Sequence, residues 1–128
     1  MGWENKVVWG EGLFLQPQHF QQQERYVERL VRTSTSALVP FSYGLTRVEI
    51  DTDMLTLGKF AIRSAEGILP DGTPFAIPGD VDFPAPIDLP ETMKNGAVYL
   101  ALPARQPGAV ETAPAEQTET AARFATAE

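Results

Sequence analysis

Hydrophobic positions along the chain fall into three regimes. Residues 1–15 (MGWENKVVWGEGLFL) crowd large apolar side chains, Trp3, Val7, Val8, Trp9, Leu13, Phe14 and Leu15, with Gly10 and Gly12 interrupting them. This run is too short and broken for a helix and predicts an extended arm. Residues 17–35 carry the helical period: Phe20, Val27, Leu30 and Val31 make a narrow apolar stripe flanked by Tyr26. Pro17 suits the first helical position, where its missing N–H costs nothing. Glu28 and Arg32 are spaced for an ion pair along the helix, and Arg29 and Arg32 are expected near its C-terminus, where cations are favoured. The Ser/Thr run 33–36 and Pro40 are expected to end the helix. Gln21, Gln22, Glu24 and Arg25 form a polar side expected to face water. One flank of the stripe is expected to pack on a sheet, with the Tyr26 side toward a neighbour.

From Tyr43 the period changes to two. Val48 and Ile50 alternate with Arg47, Glu49 and Asp51, and residues 59–68 alternate again. Between them Asp51 is placed to cap a single helical turn that stops at Gly58. Pro70-Asp71-Gly72 predicts the tight turn of a hairpin joining 59–69 to 74–77: proline presets φ, aspartate bonds its own backbone and glycine accepts positive φ. Pro78, Pro84, Pro86 and Pro90 make 78–90 a loop or sheet edge. Residues 97–103 (AVYLALP) read as a strand buried on both faces. After Pro103 the composition turns to Ala, Glu, Thr, Pro and Gln, which predicts a long mobile loop over 104–121, and RFATAE reads as the start of a further strand. The plan is mainly β: an arm (1–16), a helix plus antiparallel β domain (17–103), and a loop with half a strand (104–128), as expected of a piece of something longer.

Composition narrows the function. The chain has 128 residues, 10 basic and 17 acidic, for a net charge of −7, which opposes nonspecific nucleic-acid binding. At 14.0 kDa a folded monomer should expose roughly 6,700 Å². No apolar run approaches the ~18–20 residues of a membrane span, and the N-terminus lacks a signal-peptide pattern. The absence of cysteine removes disulfides, zinc–thiolate sites and cysteine nucleophiles together and fits a reducing compartment. His19 is the sole histidine, too few for a triad or a metal centre, and is expected to be structural, packing in the first turn or bonding to the arm. There is no HExxH, GxSxG or Walker A motif. Asp51 and Asp53 lack the rest of a calcium loop, and Asp80, Asp82 and Asp88 lie among prolines as surface charge. No catalytic, cofactor-binding or metal-binding residue is assigned. What remains is the arm and helix, whose aromatic residues Trp3, Trp9, Phe14, Phe20 and Tyr26 are the candidate contacts with a partner or a second copy. An acidic surface would steer the domain toward basic loops of that partner.

The arm and helix, KVVWGEGLFLQPQHFQQQERY, resemble the opening of the TssK family of type VI secretion baseplate proteins, also called ImpJ or VasE. The matching elements are Lys6 to Trp9, Gly12 to Leu15 and Pro17 to Gln22. A second similar segment is LGKFAIRSAEGILPDGTPFAIP, residues 57–78. The resemblance implies a homotrimer whose N-terminal part is an antiparallel β-sandwich like the shoulder of phage receptor-binding proteins. It implies attachment of that part to the wedge proteins TssF and TssG. A neck and a C-terminal head would follow, the head engaging the TssJ, TssL and TssM membrane complex at the cytoplasmic face of the inner membrane. It implies adhesion without enzymatic chemistry, cofactor or membrane insertion. Two other classes stay open: a phage-like receptor- or carbohydrate-binding module, which would expose aromatics such as Phe75 and Phe83 on loops 70–90, and a hydrolase with a nonlocal carboxylate pair in a deep pocket.

Overall fold

The computed structural model describes residues 2–114 and 122–126. They form two units, residues 1–93 and 94–128. The first holds the arm, α1 (Pro17–Leu38), β1 (Gly44–Ile50), α2 (Thr52–Thr56), β2 (Lys59–Phe60), β3 (Ile62–Ile68), β4 (Pro74–Ile77) and β5 (Ile87–Asp88); the second holds β6 (Thr112–Pro114) and β7 (Phe124–Thr126).

In the first unit β3 lies between β1 and β4 in an antiparallel sheet. Ala65 faces Val48 on one side and Ile77 on the other. The hairpin closes where Pro70-Asp71-Gly72 predicts. Leu69 N–H donates to the Thr73 carbonyl at 2.8 Å and Gly72 N–H to the Leu69 carbonyl at 2.8 Å. The Asp71 carboxylate accepts from Thr73 N–H at 3.0 Å, and Gly72 takes φ 86°. α2 is the expected single turn: Asp51 accepts from the amides of Asp53 at 3.0 Å and Met54 at 3.1 Å. These amide bonds, the one from Met54 foremost, together with nearby Arg63, hold the Asp51 carboxyl below the usual aspartate value.

Four elements depart from expectation. The strand predicted over 59–68 is split at Ala61, whose carbonyl accepts from Asp51 N–H at 3.0 Å; β2 pairs with β5 while β3 pairs with β1 and β4. α1 runs on to Leu38 because its Ser/Thr run does not break it. Ser36 Oγ donates to the Arg32 carbonyl at 2.8 Å, a bond made within the helix. Residues 97–103 form no strand. An apolar run needs neighbours on its edges and faces, and among the described residues none pairs with it; Tyr99 is 84% exposed. Finally, Thr112–Pro114, inside the stretch expected to be loop, pairs with Phe124–Thr126, and in parallel. The rest of that loop, 115–121, and the last two residues of RFATAE lie outside the described residues.

The antiparallel β architecture with one N-terminal helix is present, although a second sheet as wide as β1–β3–β4 does not form among the described residues. The core is correspondingly thin. In the first unit Val7, Ala65 and Ile77 are its buried hydrophobic side chains among those described. Every residue of β1 is exposed, Val48 and Ile50 included.

A candidate partner-binding face on the arm and helix

α1 begins as its sequence dictates. Gln16 is the N-cap, Pro17 the first helical residue, and His19 Nδ1 accepts from Gln16 N–H at 3.0 Å. His19 is therefore a structural histidine bonded to the last residue of the arm, as expected. The arm reaches it through a turn in which Leu13 N–H donates to the Gly10 carbonyl at 3.2 Å and Gly12 takes φ 81°.

Of the polar residues of α1 expected to face water, Gln21 and Glu24 do. Gln22 and Arg25 instead carry the arm. Gln22 Nε2 donates to the Asn5 carbonyl at 2.9 Å, and Arg25 Nε donates to the Trp3 carbonyl at 3.1 Å. The Arg25 guanidinium also lies 4.6 Å from the centre of the Trp3 ring. Glu4 pairs with Arg29 at 3.7 Å and with Arg32 at 3.4 Å. Arg32 further donates to the Asp71 carbonyl at 3.3 Å, tying the helix to the hairpin turn. With α1 extended to Leu38, Arg29 and Arg32 do not lie in its last turn; they serve the arm and not the helix dipole. Residues 22, 25, 29 and 32 recur at helical spacing, and at ~100° per residue they lie opposite Phe20, Val27 and Val31.

The apolar stripe is left outward. Phe20, Val27, Leu30 and Val31 are each about half exposed and Leu38 is 83% exposed. The expected packing on the sheet is limited to Val31 at one edge of the stripe, which lines a groove with Ile68 of β3 and stays 59% exposed. The helix is bonded to the hairpin through Arg32. Trp9 crosses to the apolar side and packs its ring on Phe20, centroids 5.9 Å apart and tilted by 46°. Trp9 remains 47% exposed and Phe14 81% exposed. Of the sequence candidates, Trp9, Phe14 and Phe20 thus present surface. Trp3, its face covered by Arg25, and Tyr26 are half-buried.

A groove of about 210 Å³ lies where α1 meets the hairpin, lined among others by Val31, Thr35, Phe41, Tyr43 and Ile68. Phe41, at φ 54°, projects almost wholly into solvent and meets Tyr43 edge-on. No carboxylate pair lines this groove. Among the described residues no three His, Cys, Asp or Glu side chains cluster to hold a metal, and no helix is long and apolar enough to cross a membrane. Asp51 and Asp53 both face Arg63, at 3.4 and 3.5 Å, as a surface ion cluster. Of the aromatics expected on loops 70–90, Phe83 is exposed on a loop, while Phe75 lies half-buried in β4.

Sequence reasoning missed Glu4, Gln22, Arg29 and Arg32 as the groups that seat the arm. The available signal was three arginines on one side of a helix in an acidic chain.

Known proteins resemble this chain in sequence and fold. The model of a family described as bacterial type VI secretion, VC_A0110, EvfL, ImpJ, VasE matches residues 19–128. The type VI secretion system baseplate component TssK1 of Pseudomonas aeruginosa is 49% identical over 112 residues, 88% of this chain and 25% of that protein. A crystal structure of TssK superposes with a TM-score of 0.84 at 38% identity, covering 95% of this chain and 28% of that one. A TssK–TssF–TssG baseplate subcomplex solved by cryo-electron microscopy matches with a TM-score of 0.61 at 27% identity over 67% of this chain and 29% of that one. The chain spans about a quarter of the length of these relatives.

Proposed function

Because this chain belongs to the ImpJ/VasE family of bacterial type VI secretion proteins, known as TssK, we propose that it is the shoulder part of a baseplate adaptor, acting by adhesion and not by catalysis. Its partners in this reading are the wedge proteins TssF and TssG and other copies of itself in a trimer. The protein to which it belongs would link the baseplate to the TssJ, TssL and TssM membrane complex on the cytoplasmic side of the inner membrane, without itself entering the bilayer.

One observation carries the reading. α1 docks by its polar side onto its own arm and turns its apolar stripe, with Trp9 and Phe14 beside it, outward. In a self-sufficient domain the arrangement would be reversed, since burying apolar area is the main driving force of folding. Large aromatic anchors on such a face are the residues that dominate interfaces, burial of one contributing about 1.5–3 kcal/mol. Trimer symmetry would multiply such contacts through effective concentration.

The test is titration of TssF–TssG against Phe14→Ala and Trp9→Ala variants. Phe14 is 81% exposed, so its removal should leave folding intact and weaken binding at least about tenfold, or 1.4 kcal/mol. Unchanged affinity in both variants would overturn the assignment of this face.

A further inference from the structure

We propose that the arm is an electrostatic strap. Docked, residues 3–5 lie along the arginine side of α1 with the Trp3 ring under Arg25; high ionic strength or loss of Arg25 releases them and bares that ring. The strap does not rest on the partner-face reading above.

The contacts seating residues 3–5 are polar ones. They comprise two side-chain donors to arm carbonyls, at 2.9 and 3.1 Å; one guanidinium on an indole face at 4.6 Å; and one carboxylate shared by two arginines at 3.7 and 3.4 Å. The ionic groups are wet: the side chains of Glu4, Arg32 and Arg29 are 31, 40 and 53% exposed. Partly exposed pairs are screened by salt, the Debye length shrinking from ~10 Å at 0.1 M to ~3 Å at 1 M. Along the arm, Val7 is the one buried residue among those described and part of the core; it lies beyond residues 3–5, whose own side chains stay half-buried or exposed. The two ends of the strap differ in chemistry. Trp3–Asn5 sits on the arginine side of α1, while Trp9 sits on the apolar side against Phe20. Arg32 extends the device to the sheet, since it binds Glu4 and the Asp71 carbonyl together and its stem lies 3.3 Å from where a Cβ on Gly72 would stand.

The protein has two tryptophans, so Trp9→Phe leaves Trp3 as a lone reporter under Arg25. In that variant acrylamide quenching of Trp3 should rise at least about twofold between 50 mM and 1 M sodium chloride, with helical circular dichroism unchanged. Adding Arg25→Ala, or separately Glu4→Gln, should bring the 50 mM value toward the high-salt one. Quenching that is the same at both salt concentrations, and the same with and without these substitutions, would overturn the strap. If it does so while Phe14→Ala still loses TssF–TssG, the partner face stands without the strap. If salt frees Trp3 but Phe14→Ala and Trp9→Ala bind normally, the strap stands and the face is elsewhere.

Discussion

Asp51 shows how much one side chain settles locally. Its carboxylate takes two amides at the start of α2 and faces Arg63 at 3.4 Å, and its pKa is depressed. A carboxyl with a lower pKa folded than unfolded stabilises fully above the unfolded value, and that contribution is lost as pH falls through the folded one. Acid titration should therefore unravel the 51–58 turn as pH drops below the ordinary aspartate value of 3.8; Asp51→Ala should abolish this pH dependence and remove the exchange protection of the Asp53 and Met54 amides, both readable by NMR. Gly72 is the second such position. Its φ of 86° is one that side chains rarely adopt, and a Cβ there would press on the Arg32 stem at 3.3 Å, so Gly72→Ala should cost about 1–2 kcal/mol in urea unfolding.

At the scale of elements, α1 is the informative case. Its stripe was legible as helical period, and its start as proline chemistry. Which side would be covered was not legible, because periodicity reports that two sides differ without saying what lies against each. The arginine side turned inward since the arm offers carbonyls, a ring face and a carboxylate within reach of Arg25, Arg29 and Arg32. An outward stripe predicts an unusual mutational profile. Leu30→Gln should change thermal stability by less than about 0.5 kcal/mol, yet weaken association with TssF–TssG or sister copies about tenfold, as isothermal titration and sedimentation would show. β3 predicts the opposite. A Cβ on buried Gly67 would collide with the Gly44 carbonyl oxygen, so Gly67→Ala should destabilise the sheet by about 1–3 kcal/mol without touching the partner face.

The first unit turns large apolar side chains outward, Phe14 at 81% and Leu38 at 83% exposure among them. Exposed apolar side chains drive association, and light scattering at tens of micromolar should give a mass above 14.0 kDa that rises with concentration. Combining Phe14→Ala with Leu30→Gln should lower it. A charge of −7 keeps the association short of precipitation.

Local chemistry was decided by the sequence itself: the Pro17 helix start, the Asp51 cap, the Pro70-Asp71-Gly72 hairpin and the structural role of His19 each depend on a few neighbouring residues whose bonding options are limited. The arm–helix motif likewise marked the family, because an ordered run of residue types survives in one dimension. The tertiary structure alone decided that the arm occupies the arginine side of α1, that the strand over 59–68 divides at Ala61, and that 97–103 finds no strand partner among the described residues. Those outcomes turn on which distant groups meet, and neither spacing nor composition encodes the partner of a face whose covering surface is far away along the chain or on another molecule.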